Sequence, residues 1–154
     1  MRNERYKVDI SGASMTFEFI SEGDNGSIKK RVQYTLTHRK NVYNLAFGDV
    51  NADTDDFDDE VISNNGDTAK VLATVASTVY LFIKNYRGTT IYAEGGNPAR
   101  TRLYRIGISN NLEELEEKFD VFGYIENLGW KKYEKNKDYS SFFIKEITIA
   151  RDEK

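Results

Sequence analysis

Alternating hydrophobic and polar positions dominate the first third of the chain. Apolar side chains recur at every second residue in three segments, as in strands with one buried and one solvated face. Glycine- and asparagine-containing turns separate them, and a short strand at Tyr6–Ile10 precedes them. The pattern predicts an antiparallel meander. Its segments are Met15–Ile20, Ile28–Thr37 and Val42–Phe47, with inward positions Met15, Phe17, Phe19, Val32, Tyr34, Leu36, Tyr43, Leu45 and Phe47.

A helical period replaces this alternation after residue 66. Asp67–Asn85 carries one apolar stripe, and Asp67 stands where a helix N-cap belongs. The sequence therefore predicts a long amphipathic helix that ends before Arg87-Gly88. The expected buried stripe is Val71, Leu72, Val75, Val79, Phe82 and Ile83, with Lys70, Ser77 and Lys84 opposite.

The second half of the chain alternates strand and helix signals. Thr89–Ala93 is β-branched and aromatic, a helix is predicted from Pro98, and Leu112–Phe119 suits a short acidic helix. Three further strands are predicted at Val121–Ile125, Gly129–Tyr133 and Ser141–Ile149. The element order predicts a single α+β domain over residues 1–154. It should have a mostly antiparallel sheet of about seven strands, with two main helices packed on one face.

The stretch from Thr89 to Ser109 is the most informative part of the sequence. Gly95-Gly96 ends a strand, Asn97 is a natural N-cap, and Pro98 occupies the first helical position. Ala99, Leu103 and Ile106 share one face at helical spacing. We expect that face to pack on the sheet.

Arginine is concentrated at the start of this predicted helix. A glycine turn before a helix N-terminus leaves N–H groups that favour an anion, and guanidinium groups match phosphate or carboxylate. One interpretation is therefore an anion site formed by Gly95, Gly96, Asn97, Arg100, Arg102, Tyr104 and Arg105. The other is an ordinary strand–turn–helix whose arginines pair with internal carboxylates. The glycine spacing matches neither the dinucleotide fingerprint nor a phosphate-binding P-loop.

No catalytic set stands out, so the sequence does not decide whether the protein is an enzyme. Glu94 is the most interesting carboxylate, as a base beside the arginines or as their neutralising partner. His38 is the only histidine and lies in a predicted turn, where a solvated side chain is expected. Trp130 and Tyr133 are interpreted as core aromatics, with base stacking as the alternative for Trp130.

The acidic segment from Asp49 to Glu60 has the oxygen spacing of a calcium loop. Thr54 stands where that loop needs its glycine, and the preceding segment reads as a strand rather than a helix. We therefore predict a solvated acidic loop, an acidic patch that docks on the arginine helix being a further alternative. No metal site and no cofactor is predicted.

Composition narrows the class of protein. The chain has 154 residues, a formal net charge of −3 and no cysteine, which removes disulfides and zinc–thiolate sites. The N-terminal segment lacks the apolar core of a signal peptide, and no apolar run is long enough to cross a membrane. We expect a cytoplasmic protein without a membrane partner.

Five segments together resemble a family of bacterial proteins of about 150 residues, mainly from Bacteroidetes. Its members typically read Gly-Ser-Thr-x-Ala-Arg-Thr-Arg-Leu-Tyr at the central stretch, whereas this chain has Gly96-Asn97 in place of Ser-Thr and Arg87-Gly88 where a proline is common. The resemblance implies a single domain of this length and carries no established activity. The segments are Phe17–Gly23, Val42–Asp49, Ser63–Asp67, Lys70–Val79 and Ala99–Arg105.

Two functions follow as expectations. The first is binding of an anionic ligand, such as phosphate, a nucleotide or RNA, at the arginine-rich helix start. The alternative is a protein-interaction module without catalysis. It would engage a small acidic protein, for example as one partner of a toxin–antitoxin-like pair.

Overall fold

The structure is a computed structural model, and it describes residues 3–58 and 63–147. In these ranges the chain forms nine strands and three helices. The strands are β1 Asp9–Ser11, β2 Thr16–Gly23, β3 Gly26–Leu36, β4 Val42–Val50, β5 Phe57–Asp58, β6 Thr90–Ala93, β7 Phe119–Ile125, β8 Gly129–Lys132 and β9 Ser141–Glu146. The helices are α1 Thr68–Asn85, α2 Pro98–Asn110 and α3 Leu112–Leu115.

The strands form one sheet in the order β1-β2-β3-β4-β6-β9-β7-β8, and β5 pairs with β4 outside this path. Neighbouring strands run antiparallel except β4 and β6, which run parallel. The connection between those two contains α1, as a parallel pair needs a crossover. The α+β class and the mostly antiparallel sheet are confirmed, with nine strands in the described ranges rather than about seven.

The helices pack on one face of the sheet. In the register, Phe17 lies beside Val32 and Val32 beside Phe47, so the alternate positions of β2, β3 and β4 align in one buried row. From α1, Phe82 stacks on Tyr34 of β3 with ring centroids 4.2 Å apart. All six predicted stripe residues of α1 are buried, which confirms its predicted orientation.

The orientation predicted for α2 is wrong. Its buried residues are Arg100, Tyr104, Gly107 and Ile108, whereas Ala99 is exposed and Leu103 and Ile106 are only half-buried. The observed set also has helical spacing, but it starts with an arginine and includes a glycine. Gly107 permits close contact with Leu72 of α1, and Arg100 lays its flat guanidinium on the ring of Phe47.

Smaller predictions also need correction. Leu36 lies at the end of β3 and is 68% exposed, whereas Ser77 is buried and its hydroxyl donates to the carbonyl of Thr74. The helix predicted at Leu112–Phe119 stops at Leu115, since Phe119 already begins β7. Trp130 is not a core residue and is 41% exposed.

Among the described residues, no helix is both long and apolar enough to cross a bilayer.

Candidate anion-binding site

The start of α2 is held in a fixed position by the residues before it. The side chain of Asn97 accepts a hydrogen bond from the Arg100 N–H at 2.9 Å, as an N-cap does. Gly95 lies so close to the helix that a Cβ there would stand 2.3 Å from the Thr101 nitrogen. The glycine and the cap therefore serve the local fold, and together they fix the place from which Arg100 projects.

Arg100 is a buried arginine with an incomplete set of hydrogen bonds. Its side chain is 2% exposed, and its guanidinium carbon lies 4.5 Å from the Phe47 ring centroid and 5.6 Å from that of Tyr104. Nη2 donates to the Phe47 carbonyl, while Nε and Nη1 have no hydrogen-bond partner in the described part of the chain. Arginine stays charged, so two buried donors and most of a positive charge are left uncompensated.

A cavity of about 220 Å³ lies beside this guanidinium. It is bounded by the first turns of α1 and α2 and by the buried face of β3 and β4. Its polar wall contains Lys30, Ser63, Asn64 and Arg100, and its apolar wall contains Phe47, Val71, Leu72 and Leu103. The cavity therefore combines cationic donors with surroundings of low polarity, in which electrostatic attraction is stronger than in water.

The N-terminus of α1 also borders the cavity, through Asp67 and Thr68. Asp67 holds the N-cap position but makes no side-chain cap bond, contrary to its predicted role. Its Oδ2 instead accepts hydrogen bonds from Tyr6 at 2.5 Å and Ser21 at 2.6 Å. The first N–H groups of a helix lack intrahelical acceptors and carry its positive dipole end, which favours an anion nearby.

The hydroxyl of Tyr6 keeps Asp67 in this arrangement. Burial first, and then the hydrogen bond to Asp67, raise the pKa of Tyr6 above its ordinary value. The Oδ2 oxygen of Asp67, a carboxylate that also lines the cavity, is thereby engaged by Tyr6 and Ser21.

Lys30 is the second buried cation of the cavity, and it is paired. Its side chain is 1% exposed, and Nζ lies 2.5 Å from Oδ1 of Asp49. The other oxygen of Asp49 accepts hydrogen bonds from the Ser63 nitrogen at 3.2 Å and the Ser63 hydroxyl at 2.5 Å. The charge of Lys30 is thus largely compensated within the protein.

The sequence-predicted site residues do not form one site, since Arg102 and Arg105 line a separate pocket of about 400 Å³ that also contains Asp138. Arg102 is exposed, and Arg105 pairs with the exposed Asp138 at 2.8 Å. Gly96 is exposed, while Gly95 and Asn97 hold the helix start. Of the predicted set, Arg100 lines the cavity, and the ring centroid of Tyr104 lies 5.6 Å from the guanidinium carbon of Arg100.

Two cavity residues were missed by sequence reasoning. Lys30 lies in the alternation phase of Val32 and Tyr34, so its inward direction was readable from the sequence. Ser63 carried no such signal, because it comes close to Asp49 only through the tertiary fold.

The remaining candidates lie elsewhere. Glu94 is exposed and accepts a hydrogen bond from the Tyr92 hydroxyl at 2.5 Å. The pKa of Tyr92 is raised above its ordinary value, mainly by burial and secondly by this hydrogen bond to Glu94. His38 is exposed in its turn, as expected.

In the acidic loop, Asp49 is engaged with Lys30, and Oδ1 of Asn51 accepts from the nitrogens of Asp53 and Thr54. Glu60, the last residue of the calcium spacing, lies outside the described residues. Within residues 3–58 and 63–147, no three His, Cys, Asp or Glu side chains are grouped so that they could hold a metal ion.

The chain belongs to DUF6934, a family of unknown function, whose family model matches residues 2–147. No curated protein matches the sequence. No solved structure matches it either.

Proposed function

We propose that the protein binds a small anionic ligand in the cavity beside Arg100, with a phosphate group as the best-matched chemistry. The observation that supports this most strongly is the buried guanidinium, whose Nε and Nη1 lack partners among the described residues. An unpaired buried charge destabilises the protein without ligand, and an oxyanion would satisfy both its charge and its donors.

The size of the cavity limits the ligand. Pockets for drug-sized molecules generally enclose roughly 300–1,000 Å³, and this cavity has about 220 Å³. It suits inorganic phosphate, a small phosphate ester or a small carboxylate better than a whole nucleotide. The apolar side chains Val71, Leu72 and Leu103 would contact a short apolar group on such a ligand.

Thermal unfolding in the presence of inorganic phosphate tests the proposal. Phosphate at 100 times its Kd stabilises a protein by about 2.7 kcal/mol, so the wild-type Tm should rise with the logarithm of the phosphate concentration once that concentration exceeds Kd. Arg100→Met should lose this binding-linked rise in Tm, and Arg100→Lys should keep only part of it because an ammonium lacks the planar fork. Arg102→Met, on the exposed side of the same helix, is the matched control and should respond as the wild type does.

Phosphate also stabilises proteins generally by its exclusion from their surface. The Arg100→Met variant measures that general effect directly. An equal rise of Tm in the wild type and in Arg100→Met would refute the proposal.

The second proposal is a protein-interaction surface for a small acidic partner on the outer side of α2. It is favoured by the exposure of Arg102, although the pairing of Arg105 with Asp138 reduces the free charge of this surface. A stable stoichiometric partner that is lost with Arg102→Glu, while the phosphate response of Arg100 is retained, would support it.

A further inference from the structure

The face of the sheet opposite the helices carries a group of aromatic rings. Tyr92, Phe143 and Phe122 are aligned across β6, β9 and β7 in the strand register. Trp130 meets the rings of Phe143, Tyr124 and Tyr92 edge-on, at centroid distances of 4.8, 5.3 and 6.2 Å. Half-exposed rings grouped in this way commonly mark an interaction surface.

A groove of about 790 Å³ runs along this face. Its aromatic wall contains Tyr92, Trp130 and Phe143, and its basic wall contains His38, Arg39 and Lys145. None of the described residues that line it is acidic. Since the whole chain has a formal net charge of −3, the lining of this groove has a charge opposite to that of the protein as a whole.

The cations of the groove are available to a ligand. Among the described residues, neither Arg39 nor Lys145 forms an ion pair, and Lys145 lies 5.9 Å from the Phe122 ring centroid. By contrast, Lys132 on β8 pairs with Asp120 at 3.3 Å. Lys145 therefore lies beside an aromatic ring of this face without a salt bridge to a described residue.

We propose that this groove binds single-stranded RNA. Aromatic side chains on an open sheet offer stacking platforms for unpaired bases, and cations beside them neutralise the phosphates. The groove floor adds the hydroxyl and amide groups of Thr35, Asn44 and Thr90, which can donate to and accept from a 2′-hydroxyl. This site is independent of the Arg100 cavity, which lies on the helix-covered face.

The single tryptophan of the chain, Trp130, provides a direct readout. Titration with a twelve-nucleotide mixed-sequence RNA should quench its fluorescence, because a base stacked on the indole changes its surroundings. The same complex is measured independently by anisotropy of a labelled RNA, with the corresponding DNA and the duplex RNA in parallel. The affinity should be highest for single-stranded RNA, lower for the corresponding DNA and lowest for the duplex RNA.

Variants place the RNA on the groove. Trp130→Ala should weaken binding roughly 5- to 150-fold, as the loss of one base–aromatic stack does. Lys145→Glu should weaken binding and reduce the slope of log affinity against log salt by about 0.7 for the lost phosphate contact. Arg102→Glu changes the charge equally on the opposite side of the molecule and should bind as the wild type does. Circular dichroism confirms folding of each variant.

Three outcomes would overturn the proposal. They are an absence of RNA binding by the wild type, equal or tighter binding of DNA or duplex, and a loss with Arg102→Glu as large as that with Lys145→Glu. The last would place RNA on α2 instead. Phosphate stabilisation through Arg100 is measured separately, so either site can fail alone.

Discussion

The β3 side and the α2 side of the cavity each bury one cation, and they hold it differently. On β3, Lys30 lies 2.5 Å from Asp49, and Ser63 satisfies the second oxygen of that carboxylate. On α2, the guanidinium of Arg100 has one hydrogen bond, to the Phe47 carbonyl, and lies over the Phe47 ring. The two residues are equally buried, so burial alone does not separate them.

This difference in pairing distinguishes a charged residue that stabilises the fold from one that is available to bind a ligand. A buried pair with complete hydrogen bonds is part of the fold, and removal of one partner leaves an uncompensated charge. A buried cation without a counter-charge costs stability in the free protein and is relieved only when something binds. Variants on the two sides of the cavity should therefore have opposite profiles in stability and in ligand response.

Lys30→Met should have the largest effect on stability. Removal of one partner of a buried ion pair costs roughly 3–5 kcal/mol, and the 19% exposure of Asp49 puts the expected loss near the lower end. Urea denaturation monitored by circular dichroism gives the value. Lys30→Met combined with Asp49→Asn removes both charges and keeps an oxygen for Ser63, so at least half of the loss should be recovered. A loss below about 1 kcal/mol in the single variant would mean that the pair is not structural.

Gly95→Ala should destabilise the protein by roughly 1–3 kcal/mol, as overpacking does. The new methyl group would meet the Thr101 nitrogen at 2.3 Å and the Arg100 Cβ at 2.7 Å, so the first turn of α2 must move. The phosphate response should weaken together with stability, because Arg100 moves with that turn. Both are measured by thermal unfolding with and without phosphate.

Gly107→Ala is the control on the same helix. There the added methyl group would meet Leu72 no closer than 3.4 Å, and replacement of an interior helix glycine gains up to about 1 kcal/mol. If both alanine variants behave alike, Gly95 does not set the position of Arg100.

Alkaline pH provides a third test, on a buried polar group that is neutral. Tyr34 shares a hydrogen bond of 2.8 Å with Thr78, and its burial raises the pKa of Tyr34 far above the ordinary value of 10.0. As the pH rises, Tyr34 ionises in the unfolded chain before it ionises in the folded protein. Its contribution to the free energy of unfolding is therefore complete below about pH 10 and is progressively lost above it. Above that pH, this residue lowers the free energy of unfolding by up to about 1.4 kcal/mol per pH unit.

Tyr34→Phe should flatten the fall of the unfolding free energy between pH 9 and 11, at a cost of about 1 kcal/mol at neutral pH for the lost hydrogen bond. Urea denaturation across this range measures both quantities. An unchanged slope would show that Tyr34 ionises as readily in the folded protein as in the unfolded chain.

Alternation and helical period sufficed to predict most of the sheet and α1, because both depend on burial of one face. The same rule pointed Lys30 inward, yet it could not supply Asp49 as the partner, since strand register is needed for that. The rule failed on α2, where the buried stripe begins with Arg100. An arginine is placed on the solvent side by polarity alone, and only the Phe47 ring and the close approach of Gly95 explain its burial.

The anion site remains a prediction, and only part of its predicted residue set lies at the cavity. Arg100 at the start of α2 lines this cavity, whereas helical geometry directs Arg102 and Arg105 to a separate pocket that also contains Asp138. The absence of a side-chain cap at the start of α1 could not be predicted from the sequence. Asp67 is a residue type typical of an N-cap, but its Oδ2 accepts hydrogen bonds from Tyr6 and Ser21 instead.

Arg100→Met should have the smallest effect on stability and the most specific effect on binding. Loss of the hydrogen bond lowers the free energy of unfolding by about 1 kcal/mol. Removal of the unpaired buried charge raises it, because the desolvation cost of that charge disappears. The flexible apolar side chain keeps contact with the Phe47 ring. We expect the unfolding free energy without phosphate to stay within about 1 kcal/mol of the wild type or to increase, by urea denaturation at neutral pH. A decrease of more than about 2 kcal/mol would identify Arg100 as a structural residue like Lys30, and the contrast between the two sides of the cavity would disappear.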